Sequence, residues 1–267
     1  MNGRNLVIIC LLAIAGSLVR AQAAEQPAKK LPLPGEVFTV GGRTAFLIEA
    51  KVDAGQPKGW VWYAPTLPNL PGPEERWMFE RFLRAGISIA GLDVGESYGS
   101  PAGCKQFSEL YLEMTGKRGF AKKPVLLGRS RGGLMTLSWA ADNPERVAAF
   151  AGIYPVCSLA SYPGVAKAAP AYGLTGELLK QRLAEFDPVD RLEPLAKAKV
   201  PLFAIHGDVD AVVPLEANSG LVKTRYQALG GPMELLVPKG QGHTMWEGFF
   251  RCEGLVAFVI RHAKSHD

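Results

Sequence analysis

The sequence predicts an α/β fold: a mostly parallel central sheet with helices on both faces and a small cap inserted near residues 155–190. Three observations predict it. Short apolar, β-prone runs alternate with helical patterns along most of the chain. Several of those runs, Ile87–Leu92 above all, are almost wholly apolar, the pattern of a strand covered on both faces. The alternation breaks only at 155–190, where Pro, Gly and Tyr crowd together, and then resumes.

Taken in order, Val37–Val40 and Arg43–Ala50 read as a hairpin around Gly41-Gly42. Gly59–Tyr63 is a compact strand. Glu74–Ala85 is a helix stopped by Gly86, and Ile87–Leu92 the next strand. Cys104–Thr115 reads as a helix, Pro124–Leu127 as a strand, and Gly132–Asn143 as a helix ended before Pro144. Strand Val147–Tyr154 precedes the irregular segment, whose one helical piece is Gly176–Phe186. A helical turn at Leu192–Lys197, strand Leu202–His206, helix Leu215–Leu229, strand Met233–Val237 and helix Gly248–Ala263 complete the series. There is no internal repeat and no low-complexity tract, so residues 37–264 read as one domain.

The N-terminus has a different character. Arg4, an apolar run from Leu6 to Ala15 and the triplet Ala21-Gln22-Ala23 form a secretory signal peptide pattern over residues 1–23. Residues 24–36 are expected to be a flexible lead-in. The expectation is a secreted or periplasmic protein with no stable membrane insertion after the signal is cleaved. The formal charge of +5 comes from 30 basic and 25 acidic residues with no long basic run, so nucleic acid is not an expected partner. Beyond Cys10, the cysteines Cys104, Cys157 and Cys252 lie far apart, without zinc spacing. One disulfide with one free thiol, or three buried small hydrophobes, are both compatible with that spacing.

The chemistry concentrates in Gly128-Arg129-Ser130-Arg131-Gly132, set between a strand and a helix. A G-x-S-x-G turn in that context thrusts the serine hydroxyl above the sheet edge. It also aims a helix N-terminus at the site, where developing negative charge is favoured. A serine becomes a nucleophile only when a base takes its proton. Of the four histidines, His262 and His266 lie in the C-terminal helix and tail. His206 ends a buried strand and is expected to steady the next turn. His243, in the glycine loop Lys239-Gly240-Gln241-Gly242-His243, is the candidate base. The acid is expected in the run His206 to Pro214, from Asp208 or Asp210. Asp210 is preferred because Asp208 sits in the turn, where it can bind its own backbone.

With Ser130, Asp210 and His243 in that order, the chain resembles the α/β-hydrolases over residues 37–264. Its motifs are similar to those of carbohydrate esterases and of prolyl-oligopeptidase-like hydrolases. The resemblance implies Ser130 as nucleophile, Asp210 as acid and His243 as base. It implies an oxyanion donor at the backbone N–H of Arg131 and a second on the loop after Gly59–Tyr63. Pro65 has no N–H, so Thr66 or Leu67 is the candidate there, Thr66 first. No metal or organic cofactor is implied. A serine followed by arginine is similar to the nucleophile turn of glucuronoyl esterases, although their longer signature is missing. The two arginines that flank the nucleophile, Arg129 and Arg131, either meet substrate or pair with nearby carboxylates. Trp246 and Tyr154 are candidate substrate-binding aromatics or ordinary packing. The reading that follows is an exported serine hydrolase for a small-molecule or polysaccharide ester, an acetyl or uronate methyl ester of a carbohydrate. The alternatives are a small peptidase of the prolyl oligopeptidase type, or a catalytically silent binding protein on the same fold.

Overall fold

In the computed structural model, residues 29–53 and 55–264 are described; the expected signal peptide and His266 lie outside them. Eight strands form one sheet: β1 (Glu36–Val40), β2 (Arg43–Ile48), β3 (Trp60–Ala64), β4 (Ser88–Leu92), β5 (Val125–Arg129), β6 (Ala149–Ile153), β7 (Leu202–Ile205) and β8 (Met233–Leu236). Their order is β1-β2-β4-β3-β5-β6-β7-β8. The first two join antiparallel, with Val40 opposite Arg43 and Ile48 opposite Ile89, and from β4 onward every pairing is parallel. Every residue of β3, β4, β5 and β6 is buried, as their apolar composition requires of strands covered on both sides. Edge strand β8 instead alternates between buried and more exposed positions.

The two-residue period of a strand divides the core. On one face Trp60 and Trp62 meet α2 (Pro101–Leu112) and α3 (Gly132–Asp142). Trp62 lies 5.1 Å from Phe107 and 4.8 Å from Trp139 between ring centroids. On the other face Val61 and Tyr63 join the cluster packed by α1 (Arg76–Arg84) and the last helix, with Phe79 edge-on to Tyr63 at 5.6 Å. The inserted segment carries short helices, α4 (Val165–Ala168), α5 (Gly176–Gln181) and α6 (Leu183–Phe186). Their residues Ala168 and Leu179 share a small core of their own with Tyr98, Leu134, Val156, Leu159 and Val213. Helix α7 (Glu193–Lys197) returns the chain to the sheet, followed by α8 (Ser219–Ala228), α9 (Glu247–Phe250) and α10 (Glu253–Lys264).

Several helices are shorter or shifted relative to the sequence reading. Cys104–Thr115 starts earlier, at Pro101, because Ser100 accepts the Gly103 N–H and Pro101 fits a first turn that needs no donor. Leu215–Leu229 is interrupted at Asn218. There the side chain leaves the helical pattern to accept the N–H of Cys157 at 2.8 Å and to donate to Pro214 O. Gly176–Phe186 breaks at Arg182 and Gly248–Ala263 at Arg251, both with non-helical backbone. The segment 29–35, expected to be flexible, is fastened to the domain. Leu33 is buried in the core, and the Lys29 ammonium donates to Leu67 O and Leu70 O at 2.6 Å each. The three cysteines among the described residues are free and buried, so no disulfide joins them.

Candidate active site

Ser130 follows β5 directly and has a φ of 50°, the left-handed region that a non-glycine residue rarely enters. Three backbone bonds hold it there. Its N–H donates to Ile153 O at 3.0 Å, and its carbonyl accepts from Gly133 N–H and Val156 N–H at 2.9 and 2.8 Å. Gly132 is obligatory, because a Cβ there would lie 2.0 Å from the carbonyl oxygen of Ala64. That close approach brings the end of β3, and the loop with Thr66, over the start of α3.

The Ser130 hydroxyl lies 2.9 Å from His243 Nε2, and His243 Nδ1 lies 2.7 Å from Asp210 Oδ2. An ionised carboxylate only accepts, so Nδ1 carries the proton and Nε2 is left as the acceptor for the serine O–H. The second Asp210 oxygen accepts the N–H groups of Val212 and Val213 at 3.0 and 2.8 Å, which fixes the carboxylate plane. His206 supports the same turn, as expected for it. Its Nε2–H donates to Val213 O, and its Nδ1 is hydrogen-bonded to the Ser219 hydroxyl, both at 2.8 Å. Burial keeps His206 below its ordinary pKa.

Asp208, the other candidate acid, does not bind its own turn. It accepts the Gly240 N–H at 2.6 Å and so shapes the histidine loop. Gly207 lets that loop approach, since a Cβ there would lie 2.0 Å from Gln241 O.

The remaining candidates separate. Among the described residues the N–H groups of Arg131 and Thr66 have no hydrogen-bond acceptor, as oxyanion donors require. Leu67 is instead bridged to Leu70. The Thr66 hydroxyl turns away and donates to Tyr63 O at 3.3 Å. The Arg131 side chain is partly exposed and pairs with Glu96. Two of the candidate substrate-binding residues are buried. Arg129 is buried, with 7% of its side chain exposed, and donates to the wholly buried Glu75 at 2.6 Å. Burial opposes its charge, but the fields of Tyr63 and Glu75 hold the guanidinium above its ordinary range. Tyr154 is buried as well and lies on the His243 ring at 4.3 Å between centroids. Burial pushes its hydroxyl up to about 12. Trp246, 40% exposed, is the one of the three with a free face.

Sequence reasoning missed Glu75 and Met245. Glu75 opens an amphipathic helical pattern, where a carboxylate reads as a partner of the helix dipole rather than as a buried counterion. Met245 carries no chemical signature. A cleft of about 500 Å³ beside the histidine loop is lined by Met245, Glu247, Phe250 and Arg251 on one side and by Glu74 and Trp77 on the other.

With this geometry in hand, comparison places the chain. A model of the prolyl oligopeptidase family matches residues 111–264, more than half of the sequence. A puromycin-hydrolyzing peptidase of Mycobacterium tuberculosis superposes with a TM-score of 0.67 at 15% identity, covering 86% of this chain and 40% of that one. Pyrococcus horikoshii acylaminoacyl peptidase gives 0.68 at 16%, covering 88% and 42%. An S-formylglutathione hydrolase from Agrobacterium tumefaciens gives 0.67 at 15%, covering 87% and 94%. The chain therefore spans about two fifths of the length of both peptidases. No curated protein matches the sequence. The fold is that of the α/β-hydrolases.

Proposed function

The chain belongs to the prolyl oligopeptidase family of serine hydrolases, and from that premise we propose that it cleaves carboxylic esters through Ser130, His243 and Asp210. The observation that carries this reading is the run of contacts from Ser130 Oγ to His243 Nε2 at 2.9 Å and from Nδ1 to Asp210 at 2.7 Å. Ser130 Oγ attacks the ester carbonyl while Nε2 takes its proton. The tetrahedral oxyanion is held by the N–H of Arg131 and a donor at Thr66, at the positive end of α3. As the intermediate collapses, the C–O bond breaks and the alcohol leaves with the proton from Nε2. Water then attacks the acyl-enzyme, giving its proton to His243, and Ser130 is restored as the acid departs.

The proposed substrate is a carbohydrate-linked ester, acetyl or uronate methyl. The exposed Trp246, three residues after His243 in the chain, and the cleft with Trp77 and several charged side chains support a polar, ring-bearing ligand. The proposed setting is outside the cytoplasm, after removal of residues 1–23. Family membership and the likeness to two peptidases favour a second reading, a peptidase acting through the same three residues. Purified protein is expected to hydrolyse p-nitrophenyl acetate and to be labelled by a fluorophosphonate, and Ser130→Ala to do neither. Equal rates for the two proteins would refute the serine mechanism. Faster turnover of a dipeptide anilide than of any acetylated or methyl-esterified sugar would favour the peptidase.

A further inference from the structure

Arg129, the residue before the nucleophile, joins four segments of the chain through one side chain. It ends β5. One end of its guanidinium, Nη1, donates to Glu75 Oε1 at 2.6 Å. The other end, Nη2, donates to Met245 Sδ at 2.8 Å, and the group lies 4.9 Å above the ring of Phe250 in α9. Glu75 is itself anchored, accepting the Gly72 N–H and the Tyr63 hydroxyl at 2.8 Å each. Met245 follows His243 on the same loop. The Tyr154 hydroxyl reaches its sulfur at 4.0 Å, and the Tyr154 ring rests on the imidazole.

We propose that Arg129 is a positioning residue: through Met245 its guanidinium fastens the histidine loop to the strand that ends at the nucleophile. The inference rests on the serine-hydrolase reading above. Asp210 fixes the imidazole by a single hydrogen bond at Nδ1, about which the ring can still tilt. Tyr154 closes that freedom from the ring face. Met245 is 53% exposed, so burial does little to hold it. Its fixed points are the Arg129 N–H and the edge of Tyr154. A buried ion pair is weak evidence of stabilisation, since an apolar pair of equal volume often serves as well. What an apolar pair cannot do is reach two partners in set directions, and neither can the single ammonium of a lysine.

The test uses Met245→Leu, which keeps the volume at a half-exposed position, and Arg129→Lys, which keeps the charge toward Glu75. Each is expected to lower kcat on p-nitrophenyl acetate by about tenfold, with KM and Tm near the wild-type values. The double variant is expected to lose no more than either single one, because both cut the same connection. A kcat unchanged in Met245→Leu, or losses that multiply in the double variant, would overturn the proposal. A second readout is independent of turnover: exchange of the His243 Nδ1 proton, followed by NMR, is expected to quicken in both variants. An unaltered exchange rate would also overturn it. Should wild-type protein turn over no ester and escape fluorophosphonate labelling, the serine-hydrolase reading fails, and the exchange rates still decide whether Arg129 steadies the loop.

Discussion

A single proton governs the site at the scale of the residue. Asp210 can only accept, which assigns the proton to Nδ1 and leaves Nε2 to receive the serine hydrogen. Asp210→Asn reverses this, because an amide N–H facing Nδ1 demands the other tautomer. The substitution is expected to lower kcat by about 10⁴-fold while leaving Tm close to wild type; a loss below tenfold would show that Asp210 does not set the tautomer. Gly132→Ala belongs to the same scale but acts on the fold. Its methyl would meet the Ala64 carbonyl at 2.0 Å, a backbone atom with nowhere to go. A destabilisation of about 3 kcal/mol or more is expected from urea unfolding. A change within 0.5 kcal/mol would mean that β3 can move away from α3.

Among the elements, the cap depends on buried polar anchors rather than on the regular packing seen in the sheet. Asp187 receives the Ser158 hydroxyl at 2.8 Å and the Leu159 N–H at 3.0 Å, yet burial raises its pKa from 3.8 to about 6. A carboxyl harder to ionise folded than unfolded contributes stability below its unfolded pKa and loses it as pH rises through the folded one. Tm is therefore expected to fall between pH 4 and 7 by a component that Asp187→Asn removes. Parallel Tm profiles for the two proteins over that range would exclude Asp187 as its source. This dependence on anchors also explains what the sequence reveals and what it hides. Strands such as β4 and β5 are legible because burial on both faces leaves a continuous apolar run. The turn holding Ser130 is legible because strain, glycines and a following helix occur together. The helix breaks at Asn218, Arg182 and Arg251 are not, since no proline or glycine stands at any of them, and at Asn218 the break follows from a distant partner, Cys157. Arg129 shows the same limit: adjacency to the nucleophile suggests a substrate contact, and only the fold brings Glu75 within 2.6 Å of it.

The whole molecule is one sheet with a three-part core, and its cysteines report on that core. Cys104, Cys157 and Cys252 are unpaired and buried, and burial pushes the Cys104 thiol up to about 12 and Cys157 higher still. Thiols of that kind are poor nucleophiles and stay inert while the protein is folded. A reductant is expected to leave Tm unchanged, and a thiol reagent to modify these three cysteines only in denaturant. Modification of the native protein at any of them would show a core that opens on the time scale of the reaction.

Lys29 gives this architecture one less obvious dependence. Its ammonium bridges the carbonyls of Leu67 and Leu70, just beyond the Thr66 N–H, and burial lowers its pKa to about 8. The loop proposed to cradle the reacting oxygen is thus moored to a residue that belongs to no strand and no helix. A chain trimmed back to β1 would keep every regular element and all three members of the hydrogen-bonded relay. It would still have cut the mooring line of the cradle, and its catalysis would register the loss alongside the stability that Leu33 lends the core.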